Sequence, residues 1–227
     1  MNRKTVSMVA NGASTELADV ELGKILEAIR SGKYRGKITD IRNAYTEGGK
    51  KQAGKLKKHL PSVLFSGHFS ERKDKGIEQH SGVLVADLDE LAAELIEELR
   101  DRLKEDQHVL FCFLSPTGSG LKVGFRVPAD DQRHADSFAA VAAHVKEAYG
   151  EEIDPACKNL SRLCFVSHDP DLYVNWEAEE MEVTKAAKPL KLTNNIDLAP
   201  RKKIAEEMFG PVDWVDETTG NIQCPGQ

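Results

Sequence analysis

Between Ser81 and Val127 the spacing of apolar residues changes period three times. Residues 82–86 form a short, nearly continuous apolar run that ends in two aspartates, Asp87 and Asp89, two positions apart. On an extended chain both would project from one face. Leu91, Leu95, Leu99 and Leu103 then recur every fourth residue and predict a helix over about 89–105. Residues 109–114 are apolar throughout, as in a core strand. In residues 121–127, Leu121, Val123, Phe125 and Val127 alternate with Lys122, Gly124 and Arg126, the pattern of a strand with two unlike faces. A second helix is expected over about 132–149, with Phe138, Val141, Ala142, Val145 and Tyr149 on one side, and a fourth strand over 163–167.

The order βαββαβ is that of ferredoxin-like and RNA-recognition-motif-like (RRM-like) folds, an α+β two-layer class. With the strand order four–one–three–two of such a sheet, strands one and two run one way and strands three and four run back. The end of strand one, the connection between strands two and three, and the approach to strand four then share one rim.

The flanks are less regular. Residues 5–9 predict a strand and residues 16–31 a helix, with Leu17, Val20, Ile25, Leu26 and Ile29 as a broken stripe. A turn leads into 38–45, and 46–59 is a lysine-rich helix or loop. The Leu60-Pro61 break precedes a short strand with a glycine turn at 62–69, and the polar stretch 70–80 reads as an exposed loop. Past strand four a last strand is expected near 173–176, then a linker over 184–198, a short helix over 201–209, and a polar tail that reads as the start of a further region. The organisation expected is therefore one domain over 1–180, with a basic α/β extension at 1–80 and an RRM-like core at 81–180. Residues 181–227 would be a linker and the beginning of a C-terminal region in a longer protein.

Charge sharpens this division. Of the 227 residues, the first 80 carry 16 Lys+Arg against 9 Asp+Glu, and the remainder 15 against 28, so +7 is joined to −13. A basic part beside an acidic one suits a polyanion groove next to a carboxylate site, although ordinary surface variation also accounts for it. No apolar run is long enough to span a membrane, and the first residues lack the apolar core of a secretory signal. The four cysteines show no metal spacing, and Cys112 and Cys164 lie in apolar strands, which reads as reduced thiols in a cytoplasmic protein.

The chemistry-bearing residues cluster on the expected rim. Asp87 and Asp89 are candidate metal ligands; the competing reading is helix capping, since Asp87-x-x-Glu90 has a capping-box spacing. Capping accounts for one aspartate but not both, and a divalent cation would relieve the repulsion between them. Ser115, Gly118, Ser119 and Gly120 form a loop whose N–H and hydroxyl groups suit phosphate, or else a plain hairpin turn. Lys122 follows on the face opposite Leu121 and Val123. Asp154 is a further carboxylate or a turn residue before proline, and Arg162 enters strand four among apolar residues, where it needs an anion. Lys50, Lys51, Lys55, Lys57 and Lys58 are candidate nucleic-acid contacts, or a solvated helix face.

Taken together, GVLVADLDEL, FLSPTGSGLKVGFRV and DPACKNLSRLCFVSHDPDLYVN resemble the primase-polymerase fold of the archaeo-eukaryotic primase superfamily, and more closely its VirE N-terminal-type domain of phage, plasmid and mobile-element replication proteins. The resemblance covers roughly residues 55–178. It implies template-directed nucleotidyl transfer, with Asp87, Asp89 and Asp154 as the catalytic residues holding two Mg²⁺ or Mn²⁺ ions. It also implies nucleotide contacts from Ser115, Gly118, Ser119, Gly120, Lys122, Ser161 and Arg162. The partners implied are nucleoside triphosphates, a single-stranded DNA template with its primer, and a helicase domain or partner. Lys122 stands where the family usually has His. A domain that binds nucleotide or DNA without polymerising, and an unrelated ferredoxin-like domain, are the competing readings.

Overall fold

In the computed structural model the described residues are 4–184, 214–215 and 222–223. Strands β1 (Thr5–Val9) and β2 (Ala18–Glu21) form an antiparallel hairpin. Its turn is set by Asn11, whose side-chain oxygen accepts the N–H groups of Ala13 and Ser14. The helix expected over 16–31 therefore begins only at α1 (Leu22–Arg30). Residues 18–21 fit either period on their own, and pairing with β1 decides in favour of strand.

Helix α2 (Arg35–Lys57) joins the segment 38–45 to the lysine-rich stretch, with a kink at Gly49. Then follow β3 (Ser62–Leu64), β4 (Gly67–Phe69) and β5 (Ile77–His80). The expected loop over 70–80 is thus in part a strand, paired antiparallel with β4.

The central unit is β6 (Val83–Leu88), α3 (Ala93–Lys104), β7 (Val109–Leu114), β8 (Leu121–Arg126) and α4 (His134–Tyr149). Two short strands close it, β9 (Cys164–Phe165) and β10 (Tyr173–Val174). The architecture is mixed α+β with antiparallel sheets. One sheet has the order β10-β7-β8-β6, the other β2-β1-β3-β9.

The expected neighbours one, three and two are all found, as β6, β8 and β7. Strand four is the correction: β9 pairs with β3 in the other sheet, while β10 takes the edge beside β7. The basic extension and the core consequently share a sheet and are not separate layers in sequence order.

The strand alternation has two destinations. Leu84, Ala86 and Leu88 of β6, with Leu121, Val123 and Phe125 of β8, pack under α3 and α4 against Ile96, Leu99, Leu103, Val141 and Val145. The opposite face is not open to solvent. Val83, Phe111 and Phe113 there pack against Val6 and Val63 of the other sheet and Leu26, Ile29, Ile38 and Ile41 of α1 and α2. Each fully buried Phe contributes on the order of 1.5–3 kcal/mol.

Helix α3 starts later than expected. Its N-cap is Ala92, without a side-chain cap bond, and Glu90 lies in the left-handed region at φ 60. Neither aspartate caps the helix. Leu95 is exposed, and the buried face is Ile96, Leu99, Arg100 and Leu103. A four-residue step overshoots the 3.6-residue turn, so a leucine at every fourth position spirals off one face.

No helix among the described residues is long and apolar enough to cross a membrane. The chain divides into two units, Met1–Ala186 and Ala187–Gln227. The described residues of the second form an antiparallel ladder of β11 (Trp214–Val215) and β12 (Ile222–Gln223). The linker expected over 184–198 lies outside the described residues from 185 onward, as do the helix over 201–209 and Cys224.

Candidate functional site

Asp87 is the cross-strand partner of Lys122 in the β6–β8 ladder. Both project from the sheet face away from α3 and α4, as the alternation of β8 predicts. The Lys122 ammonium forms an ion pair with the Asp87 carboxylate and lies 3.6 Å from Asp89 Oδ1. Lys122 is only 5% exposed. Burial draws its pKa down from 10.5 to about 8, while the adjacent carboxylates favour the protonated form. Two aspartates thus converge on one cation position at the end of β6.

That position lies in a cleft of about 680 Å³, within the range usual for ligand pockets. Lys57, Lys58, Arg72 and Arg162 line it together with Lys122, against the carboxylates of Asp87 and Asp89. Phe65, Phe165 and the Gly12–Ala13 turn supply the less polar wall. The cation excess makes the cleft complementary to an anion, in a chain of net charge −6.

The 115–120 loop closes on itself and packs against the end of β6. Gly120 lies so close to the chain end of β6 that a Cβ there would overlap the Leu88 carbonyl oxygen, and Gly118 needs the left-handed region at φ 78. Ser115 N–H bonds to the Gly120 carbonyl at 2.8 Å and Gly118 N–H to the Ser115 carbonyl at 3.0 Å. The hydroxyls of Ser115, Thr117 and Ser119 form a chain at 3.1 and 3.0 Å. Ser115 is buried, Ser119 lines a neighbouring pocket, and Pro116 is the loop residue that lines the main cleft. Leu91 N–H bonds to the Ser119 carbonyl at 3.0 Å, which ties the loop to the segment just after the aspartates.

Below the loop, Asp169 accepts the Leu114 N–H at 2.7 Å and pairs with the buried Arg100 at 3.2 Å. Arg42 of α2 donates to the His168 carbonyl at 2.9 Å, and its side chain runs beside Gly118.

Asp154 comes near by its backbone: its N–H bonds to the Asp87 carbonyl at 3.2 Å. Its carboxylate is engaged elsewhere. One oxygen accepts the Ala156 N–H at 2.8 Å and the other pairs with Arg162 at 2.5 Å. Among the described residues no group of three or more His, Cys, Asp or Glu side chains is placed to hold a metal ion. Arg162 is exposed and lines the cleft, its anionic partner being Asp154 rather than an apolar strand setting. Ser161 also lines the cleft, held by Asp74, which accepts both its N–H at 2.8 Å and its hydroxyl at 2.6 Å.

The five lysines separate. Lys57 and Lys58 face the main cleft, and Lys50 faces the neighbouring pocket, where it pairs with Glu90 at 2.5 Å. Lys51 and Lys55 line a depression elsewhere on α2.

Sequence reasoning missed Arg72, Phe65, Phe165, Gly12 and Ala13. Of these, only the Asn-Gly turn at 11–12 carries a local signal, and it signals a turn rather than a site.

Residues 55–174 match the family described as BT4734-like, N-terminal domain. The chain belongs to that family. No curated protein and no solved structure matches it. The BT4734-like segment contains both aspartates, Lys122, Arg162 and the 115–120 loop, but begins after most of α2. The Gly12–Ala13 edge of the cleft, Lys50 and Arg42 come from the part that precedes the BT4734-like match.

Proposed function

We propose that the cleft binds a nucleoside triphosphate with Mg²⁺ or Mn²⁺ and transfers its nucleotidyl group to a nucleic-acid strand, in the manner of primase-polymerases. The observation that carries this reading is the meeting of Asp87 and Asp89 at one cation position inside a cleft lined by Lys57, Lys58, Arg72 and Arg162.

The residues fit a divalent cation. Carboxylate oxygens are the donors Mg²⁺ and Mn²⁺ prefer, and the Lys122 ammonium marks a place both aspartates reach. A cation held there would polarise the phosphate and favour loss of the hydroxyl proton. Asp154 would join the ligand set only by releasing Arg162. The protein's own part is electrostatic and positional. Lys57, Lys58, Arg72 and Arg162 neutralise phosphate charge, and Lys122 offsets the repulsion between the aspartates until a cation takes its place. In the reaction the strand's 3′-oxygen bonds to the α-phosphorus, and the bond from that phosphorus to the β-phosphate's bridging oxygen breaks. Pyrophosphate leaves, and the hydroxyl proton passes to water.

A second reading, nucleotide binding without transfer, is favoured by the Lys122–Asp87 pair itself, since an ammonium already occupies the place of a cation. One pair of assays separates the two. Thermal unfolding with deoxynucleoside or nucleoside triphosphates and Mn²⁺ should show a stabilisation that Asp87→Asn removes. Incubation with a primed template should show incorporation. Stabilisation without incorporation leaves the second reading; neither effect rejects both.

A further inference from the structure

The main cleft opens beside a second pocket of about 290 Å³. The two share Lys57, Lys58, Asp89 and Phe165, and the second extends past them to Lys50 and Ser119. Nothing in the nucleotide reading above uses this second space.

Phe165 is the feature that needs explaining. It lies on β9, at the edge of its sheet, and its ring is only partly buried. The ring is backed by the Gly12 turn, and the Lys57 ammonium lies over it, 5.6 Å from its centroid, so a base stacking there takes the place of a mobile lysine head that then turns to the phosphate. An aromatic ring in the common wall of two pockets, flanked by cations, combines the two elements with which proteins hold single-stranded nucleic acid. These are a face on which a base stacks and positive charge that follows the backbone. Lys50 and Glu90 close the far side through a solvent-exposed pair, which opens at little cost. An inorganic polyanion would use the lysines but not the ring.

We propose that the second pocket seats the terminal nucleotide of a single strand, its base on Phe165 and its phosphates on Lys57 and Lys58. This rests on the nucleotidyl-transfer reading and adds to it where the acceptor strand lies. A strand end in the second pocket meets Asp89, the carboxylate both pockets share. Phe165 is then a positioning residue for the strand.

The test is fluorescence anisotropy of a labelled single-stranded oligothymidylate in EDTA, where no chemistry proceeds. Wild-type protein is compared with Phe165→Ala, Phe165→Trp and Lys57→Gln, and an oligonucleotide with an abasic end is run alongside. Phe165→Ala should weaken binding about tenfold or more, the size of one lost base stack, while Phe165→Trp should retain it. The abasic end should weaken binding to wild-type protein by a similar factor and add little to Phe165→Ala. Lys57→Gln should reduce the slope of log affinity against log salt by roughly one.

Equal binding by wild type and Phe165→Ala, or by the intact and abasic strands, overturns the proposal, the latter pointing to a plain polyanion site. If Phe165→Ala does not fold, Phe165→Leu keeps the apolar bulk and gives the same comparison. Stabilisation of wild-type protein by triphosphate and Mn²⁺ without oligonucleotide binding rejects this inference and spares the nucleotide site. Absence of both effects rejects the two together.

Discussion

Lys122 and Asp87 face each other across β8 and β6, and their side chains meet as an ion pair whose members are 6% and 15% exposed. Removing one member of such a pair leaves the other buried and uncompensated, which typically costs about 3–5 kcal/mol. Lys122→Met is therefore expected to lower the urea midpoint strongly in EDTA. If Asp87 and Asp89 accept a divalent cation, millimolar Mn²⁺ restores a large part of that loss in the variant. A midpoint in EDTA equal to wild type would remove the electrostatic account of this pair. Loss without any Mn²⁺ effect would remove the metal-binding one.

Gly120 and Gly118 make different demands, and substitution separates them. A Cβ at Gly120 runs into the Leu88 carbonyl, a backbone atom that moves only if the end of β6 moves. A Cβ at Gly118 meets the flexible Arg42 side chain at 3.5 Å, so the strain there is that of the left-handed backbone. Gly118→Ala should cost about 1 kcal/mol. Gly120→Ala should cost more, on the order of 1–3 kcal/mol, and should also weaken any metal-dependent nucleotide stabilisation, because it displaces Asp89. Equal cost at the two positions would mean that the close approach to β6 does not constrain the loop.

A buried pair of imidazoles sets an acid limit. His80 Nδ1 accepts the Gly82 N–H at 3.0 Å, so its Nε2 carries the proton and donates to His134 Nδ1 at 3.1 Å. Burial first, and the neighbouring His134 second, pull His80 from 6.5 down to about 4. Burial lowers His134 as well. Asp131 and Asp130 work in the other direction on His80, while Lys4 lowers it further. The unfolded chain takes up protons near pH 6.5 that folded His80 refuses until about 4, so stability is lost as pH falls through that window. Urea midpoints from pH 7.5 to 4.5 should decline below 6.5. His80→Asn, whose side-chain oxygen also accepts the Gly82 N–H, should show a shallower decline from a lower starting value. Parallel curves for the two proteins would assign the acid loss to other groups.

Much of the core is legible in the periodicity of the chain. The β6-α3-β7-β8-α4 order and the shared face of Asp87, Asp89 and Lys122 follow from alternation and helical spacing alone. Strand β9 did not follow, because two apolar residues carry no information about which sheet they join. That choice is made by backbone bonds to Pro61 and β3, about a hundred residues away in sequence. The same reason hid half of the cleft. Phe165 is indistinguishable in sequence from a core strand residue, and Arg72, in the β4–β5 connection, is brought to the site by bonds to the Gly12 and Ser14 carbonyls of the β1–β2 turn. In the serine-glycine loop the residue types that suit phosphate binding also close a hairpin against β6, a second use that composition does not separate from the first. Asp154 was correctly placed near Asp87 by topology, but its engagement with Arg162 depends on side-chain geometry that spacing does not encode.

Arg100 and Asp169 test whether that loop is held from below. Both are 3% exposed and pair at 3.2 Å, and Asp169 also accepts the N–H groups of Leu114 and Asp171. The carboxylate therefore joins α3 to the last residue of β7, from which the 115–120 loop departs. Asp169→Asn keeps the shape but removes the charge, leaving the buried Arg100 guanidinium only the exposed Glu97 carboxylate at 3.8 Å, at a cost of about 3 kcal/mol. A pair so buried is little affected by salt, so the loss should persist at high ionic strength. By contrast Glu90→Gln, which breaks the exposed Lys50–Glu90 pair, should leave stability unchanged within error. Amide hydrogen exchange gives the positional readout. Asp169→Asn should speed exchange at Leu114, Ser115 and Gly118 beyond the change that global stability explains, while Gly124 on β8 follows the global value. Uniform acceleration along β7, the loop and β8 would show that Asp169 stabilises the fold as a whole rather than anchoring the loop beside the aspartates.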